Sequence, residues 1–409
     1  MSPLKIAFFT TFIDILGFGI IIPIQPFYAE AIGAAPATIT LLGASYSLMQ
    51  FLFSGPLGRL SDRYGRRPIL LTSVALIVIG YLAFAQATTI TGLFIARMIS
   101  GVGGANLGAA QAIIADVTPP DQRSRGMGMI GAAFGLGFIF GPAIGGFLGQ
   151  WGVVVPIYAA ALLATLNLGF IYFKLPETRK LDHDGEHQTS HAHQLPTSST
   201  YWRFNNVPQL FGIAFSFALA FAMMEQTIGL FIEGAWVDSA LDSASRHREA
   251  SKLTAYFLVS VGVGASIVQG GLIGRLNKRF GEVNLCRFGV CLVVLTFLAI
   301  PWAGAQAPFS VMLLIGLVMA CGTGSLHPSR SALLSQSCPA HLQGGALGAS
   351  QSLGSLGRVI GPACAGLFFE LDPNLPFWVG ASVMLITLFF TLALSKPELT
   401  APEQRDPAL

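Results

Sequence analysis

Four ionisable side chains stand in stretches that are otherwise apolar: Asp14, Arg97, Glu225 and Arg358. At the centre of a hydrocarbon layer one unpaired charge costs roughly 3 kcal/mol or more, so each must be paired, protonated or set in a wet cavity. This set supports no bond-making chemistry. It supports proton exchange, because a medium of low polarity penalises the ionised form of a carboxylate. A proton and a cation then compete for the same acid, and binding of one excludes the other. The alternative reading is structural: permanent ion pairs that fix the register of neighbouring helices.

The elements that must position these groups are readable from composition. The chain has 409 residues, 53% hydrophobic and 11% charged, with mean hydropathy +0.65. A water-exposed surface needs about 25% charged residues, so most of this surface faces something else. A hydrocarbon-spanning helix needs ~20 apolar residues. That measure gives twelve predicted spans, at 5–29, 38–60, 68–87, 90–115, 125–149, 153–173, 208–232, 252–274, 284–303, 308–333, 343–369 and 375–394. Asp14 falls about nine residues into the first, roughly 13 Å along its axis. The first stretch is long enough to span and is expected to be a retained helix rather than a cleaved signal.

Basic residues divide unevenly between the two sides. Arg59, Arg63, Arg66, Arg67, Arg123, Arg125, Lys174, Arg275, Lys278, Arg279, Arg287 and Arg330 fall on the side of the N-terminus, and only Arg246, Arg248 and Lys252 on the other. By the positive-inside rule both termini are cytoplasmic. The longest polar interruption, 174–206, reads as a cytoplasmic linker between two bundles, 1–173 and 207–395, with a tail at 396–409. A second polar stretch, Asp238 to Lys252, reads as an external loop.

The halves repeat. Gly55, Gly58, Arg59, Leu60, Arg63 and Gly65 recur 216 residues later as Gly271, Gly274, Arg275, Leu276, Arg279 and Gly281. Gly128, Gly137, Gly141, Pro142 and Gly146 recur 220 residues later as Gly348, Gly357, Gly361, Pro362 and Gly366. The expected fold is an all-α membrane protein: twelve transmembrane helices in two pseudo-symmetric six-helix bundles, with a site between them.

The segment from Gly55 to Pro68 resembles the loop signature between the second and third helices of the major facilitator superfamily. The resemblance implies that Asp62 pairs with Arg66 and Asp116, beside Gly58 and near the positive N-terminus of span 11. Such a latch would hold the halves together on the cytoplasmic side and favour the outward-facing state; the second half has Lys278 in place of Asp62, so it would be asymmetric. Gly137, Gly141, Pro142 and Gly146 resemble the antiporter signature of the drug-exporting branch. Small residues there would pack span 5 against span 8 and seal the inward route. The run around Asp14, and Arg97 followed by Gly101, Gly103 and Gly104, are similar to the tetracycline and drug:proton exporters. That similarity implies that Arg97 reaches across to Asp14 or to a carbonyl. The second half has an acid and a base of its own, Glu225 in span 7 and Arg358 in span 11.

Spans 3 and 9 carry no acid, a departure from the tetracycline exporters that argues against tetracycline itself as cargo. The implied activity is export of small hydrophobic or amphipathic compounds in exchange for protons, by a monomer in the inner (plasma) membrane, with no cofactor and no nucleic-acid partner. Import of a sugar or organic anion is the alternative. Expected cavity residues are Tyr46, Gln50, Asn106, Gln111, Phe134, Phe138, Met224, Gln226, Phe257, Gln269 and His327; aromatic and Met linings suit apolar ligands of varied shape.

Other chemistry finds little support. Cys286, Cys291, Cys321, Cys338 and Cys364 lie in or beside predicted spans and form no disulfide framework. No Ser or Cys has the His partner that an intramembrane hydrolase needs. His183, His187, His191 and His193 sit at spacings that could bind zinc or nickel on a helix, but their segment has no apolar face to preorganise it. A linker without metal is expected.

Overall fold

The computed structural model describes residues 3–118, 123–178, 203–339 and 342–395, without the side chains of residues 3, 115, 123–132, 134 and 344. The four linker histidines and the tail lie outside the described residues. Every described element is helical. Span 1 is Pro3–Ile21 continued after a turn by Gln25–Ala31; span 2 is Pro36–Tyr64 and span 3 Arg66–Gln86. Span 4 runs Ile90–Gly103, a 3-10 turn Gly104–Asn106, then Leu107–Val117; spans 5 and 6 are Arg123–Leu148 and Val155–Lys174. Spans 7 to 12 are Val207–Trp236, Ser243–Phe280, Glu282–Gln306, Phe309–Gln336, Gln343–Leu371 and Leu375–Leu392. Eleven helices among the described residues are long and apolar enough to cross a membrane, and span 5 makes the twelfth.

The breaks have local causes. Pro23 removes a backbone donor where span 1 turns, and Pro26 opens its second segment, where a missing N–H costs nothing. Span 4 tightens at Gly104 because a side chain there would enter the Tyr46 ring, and one at Gly103 would stand 2.6 Å from Ser73 O. The resulting 3-10 turn rotates Asn106 relative to the helix above it. Span 8 begins at Ser243, nine residues before the predicted Lys252, so two thirds of the expected external loop is helix. Polar residues such as Arg246 and His247 hide this extension from a hydropathy reading, since a helix can continue beyond the hydrocarbon. Asp242 starts it by accepting from Ser245 N.

Each half has its own core. Leu16, Ile39, Leu42, Phe84 and Ile157 pack in the first half, with a second cluster of Ile6, Leu70, Val74, Ile113 and Ile171. Phe217, Phe257, Phe297, Met319 and Phe377 pack in the second. The sequence repeat is also a repeat of contacts. Arg67 Nη2 donates to Tyr172 O at the end of span 6, 2.7 Å away. Arg287, 220 residues on, donates to Thr391, Leu392 and Leu394 carbonyls at the end of span 12. In both halves a guanidinium satisfies the carbonyls that a helix leaves unpaired at its C-terminus.

The two bundles meet at one end and part at the other. At the closed end Gln25 Nε2 donates to Gln226 Oε1 over 3.3 Å, Glu370 Oε1 accepts from Ala37 N at 3.0 Å, and Phe27 packs beside Gly229. At the other end a side chain placed at Gly55, Gly58, Gly108, Gly271, Gly274 or Gly348 would meet nothing within 4 Å. A cleft therefore enters between the halves from the end that carries Asp62 and Arg279.

Candidate transport cavity and its gates

Asp14 sits half-buried in span 1. Asn106, turned inward by the 3-10 break, donates Nδ2 to Asp14 Oδ2 at 2.6 Å. Asn167 of span 6 donates to Oδ1 at 3.3 Å and in turn accepts from Thr10 Oγ1. Three spans thus converge on one carboxylate through neutral amides. Its partners are neutral amides, so the carboxylate has hydrogen-bond donors but no counter-charge. Asn167 escapes a sequence reading: one Asn in an apolar span carries no pattern, and only the fold brings it to Asp14.

Arg97 does not reach Asp14. Its position is nine residues before Asn106, about 13 Å along span 4, and Asn106 is the residue that meets the acid. The Arg97 guanidinium lies instead among rings, 4.8 Å from the Tyr46 centroid, 5.9 Å from Phe18 and 5.8 Å from Phe84. Arg97 is 2% exposed, and its Nε and Nη1 have no hydrogen-bond acceptor. The aromatic faces supply the compensation.

The second pair is also not closed. Glu225 is buried with Oε1 unpartnered, and Arg358 donates Nη2 to Ser355 Oγ of its own helix at 3.1 Å. Among the described residues no ion pair joins them. Arg330, counted by sequence with the cytoplasmic cations, lies within span 10, which continues to Gln336; it donates to Ser350 Oγ of span 11. His327 is exposed toward the parted end, its ring perpendicular to Phe217 with centroids 4.8 Å apart.

Of the remaining expected lining, Gln50 donates to Gly104 O at 2.9 Å, Gln111 is half-buried, and Phe138 packs edge-on to Phe18. Tyr46 lies under Arg97. Gln269 is exposed in a π-helical segment, Val268–Leu272. Two assignments fail: Met224 and Phe257 have no exposed surface and belong to the core of the second bundle. Gln226 lies in the seam of the closed end, held by Gln25. The Phe134 side chain is outside the described residues.

The loop signature forms its triad. Arg66 bonds Asp62 and Ser61, and its Nε donates to Asp116 Oδ2 at 3.1 Å. All partners belong to the first bundle, and Asp62 is 66% exposed on the parted side. In this conformation, parted on that side, the triad ties spans 2, 3 and 4 together; the expected latch belongs to the state in which this end is closed. Glu177, after span 6, accepts from Arg66 N and Arg67 N at 2.9 and 3.1 Å and so starts span 3. It packs on Gly65 (φ 105°), where any side chain would strike its carboxylate.

The span 5 glycines divide between two neighbours. A methyl at Gly137 would stand 2.6 Å from Ile15, and one at Gly141 2.7 Å from Gly19 Cα; this face packs on span 1 of the same bundle. Gly146, about 100° around the helix from Gly145, abuts Ala255 of span 8. Span 5 does meet span 8: of the expected glycines Gly146 does so at the closed end, and Phe138 and Ile139 carry the contact further along against Gly262.

Two helical bundles joined at one end, with a polar cleft between them, define a multi-pass membrane transporter. The chain belongs to the Major Facilitator Superfamily, whose family model matches residues 7–362 and 239–408. It is 31% identical to the tetracycline resistance protein, class B, of Escherichia coli, over 93% of this chain and 91% of that one. It is 28% identical to multidrug resistance protein 2 of Bacillus subtilis (strain 168), over 93% and 92% of the two chains. Among solved structures, the nucleoside transporter NupG superposes with TM-score 0.73 at 14% identity, over 96% of this chain and 99% of that chain. The human organic anion transporter MFSD10 (TETRAN) superposes with TM-score 0.67 at 24% identity, over 95% and 98%. These two likenesses speak for the fold. The family is one of transporters rather than enzymes.

Proposed function

We propose that this protein exports small hydrophobic or amphipathic compounds across the inner membrane in exchange for protons, by alternating access. The observation that carries the reading is Asp14, a lone carboxylate held by Asn106 and Asn167 in the wall of the first bundle. The relatives named for tetracycline and multidrug resistance support outward transport, since a transporter confers resistance by removing the compound from the cell. With the basic connections on the cytoplasmic side, the cleft faces inward and the closed end outward. A proton leaves Asp14 when the cleft faces the cytoplasm, cargo enters, and a proton taken from outside resets the cycle.

A second reading, carriage of an organic anion, is favoured by Arg330 and Arg358, whose hydrogen-bond partners are serines rather than carboxylates. Everted vesicles with an imposed pH gradient separate the two. A panel of lipophilic cations, tetracyclines, phenicols and aromatic carboxylates is offered. Gradient-driven uptake of neutral or cationic compounds supports the first reading, uptake restricted to carboxylates the second, and movement of none overturns both.

A further inference from the structure

Outside the cavity, one group of ionisable residues crosses the seam between the bundles. Glu30, in the short helix that ends span 1, belongs to the first; Glu233 of span 7 and His247 of span 8 belong to the second. One ligand atom from each lies within 4.8 Å of the other two. His247 Nε2 is 3.5 Å from Glu30 Oε2 and 4.0 Å from Glu233 Oε1. Phe27 stacks on the imidazole at 5.8 Å and fixes its plane. Glu233 is 5% exposed, and its Oε1 accepts no hydrogen bond of good geometry, although Arg246 Nη2 lies 3.0 Å away.

Two carboxylates brought this close repel each other unless a cation stands between them. Ligand atoms about 2.0–2.2 Å from a tetrahedral zinc lie roughly 3.3–3.6 Å apart, so the observed separations need contraction by a few tenths of an ångström to about one. Glu30, whose side chain is 41% exposed, is free to supply it. Arg246, 37% exposed, can swing into water as a metal takes its place on Glu233.

We propose that Glu30, Glu233 and His247 form a site for a divalent transition-metal ion of the zinc class, which ties the two bundles together at their closed end. One imidazole nitrogen and two carboxylate oxygens provide three ligands, with water as the fourth. Because the ligands come from both halves, the metal binds only the conformation in which they meet. It shifts the population toward the inward-facing state and slows exchange. Binding is measurable without any cargo, so its failure is separable from failure of the export reading.

The test is zinc titration by calorimetry of the purified full chain carrying H183S, H187S, H191S and H193S, which removes the linker imidazoles. Hydrogen exchange is followed at residues 25–40 and 243–255. Expected is one Zn²⁺ per chain, slowed exchange at those residues, at least tenfold weaker binding in Glu30→Gln and His247→Ala, and recovery in His247→Cys, which restores a zinc ligand. Glu30→Gln lies at a half-exposed position and keeps the test valid if His247→Ala does not fold. Unchanged binding in both variants, no binding, or exchange that follows pH while ignoring Zn²⁺ overturns the proposal; the last would make protonated His247 the bridging cation.

Discussion

Asn106 meets Asp14 across 2.6 Å, from the 3-10 turn that interrupts span 4 to the middle of span 1. The turn exists because Gly103 and Gly104 press span 4 against Ser73 and Tyr46. A packing constraint thus presents an amide to the Asp14 carboxylate. A hydrogen bond to an ionised group contributes about 1.5–3 kcal/mol. We expect Asn106→Ala to slow proton-driven transport about tenfold or more and to lower stability by about 1–3 kcal/mol, and Asn106→Gln to recover part of both. Transport rates beside melting curves provide the check.

The glycines of span 5 have separable roles. Gly141→Ala forces spans 1 and 5 apart inside one bundle and should destabilise the protein by about 1–3 kcal/mol, as overpacking does. Gly146→Val meets span 8 at Ala255, across the seam. It should leave the bundles intact but loosen the closed end, seen as faster hydrogen exchange at residues 250–258. Equal exchange in the two variants would sink the distinction.

The triad around Arg66 ties one bundle in this conformation. Asp62 is 66% exposed, so Asp62→Asn should cost less than about 1 kcal/mol. Asp116, 28% exposed, pairs with the more enclosed Nε, and Asp116→Asn should cost more. Neither should alter the distance between span 2 and span 11 at the parted end, measured by spin labels at Gly58→Cys and Gly348→Cys in a chain without other cysteines. A widened or narrowed distance would restore a latch between the halves.

Much of this architecture is legible in the residues, and the reasons differ by feature. Spans 2, 4, 10 and 12 run close to their predicted bounds, because hydrocarbon thickness sets a length that composition reveals. Arg67 and Arg287 stand near the starts of the equivalent spans 3 and 9, but their shared role in capping spans 6 and 12 appears only in the folded chain. Charge alone misjudges the ionisable partners, matching Arg97 to Asp14 and Glu225 to Arg358. Aromatic rings and serines, which carry no signal in a charge pattern, stand where opposite charges are expected. Arg330 passes for one more cytoplasmic cation because it stands near the end of its predicted span, whereas the helix continues past it to Gln336. Met224 and Phe257 look like cavity residues by type; only packing assigns them to a core.

The outer seam should depend on pH. Glu30 is held below the ordinary carboxylate range, first by its contact with His247 and then by the His247 and Arg246 charges, with burial opposing them. A lowered carboxylate contributes stability above its unfolded value, 4.5, and loses it as pH falls through the folded value. In the presence of a chelator, wild type should melt above Glu30→Gln at pH ~6, by an amount below about 1 kcal/mol since half the group is solvated. The two should converge as pH falls through the folded value, which lies below 4.5. A difference that grows on acidification would contradict the assignment.

The most direct measurement concerns Asp14 itself. Everted vesicles containing wild type or Asp14→Asn are given a pH gradient and a transported compound, and proton flux is recorded alongside cargo uptake. Expected is gradient-driven accumulation with coupled proton movement in the wild type; Asp14→Asn should fold normally, bind cargo and show at least tenfold less of both fluxes. Accumulation and proton movement that survive the substitution unchanged would contradict proton coupling through Asp14.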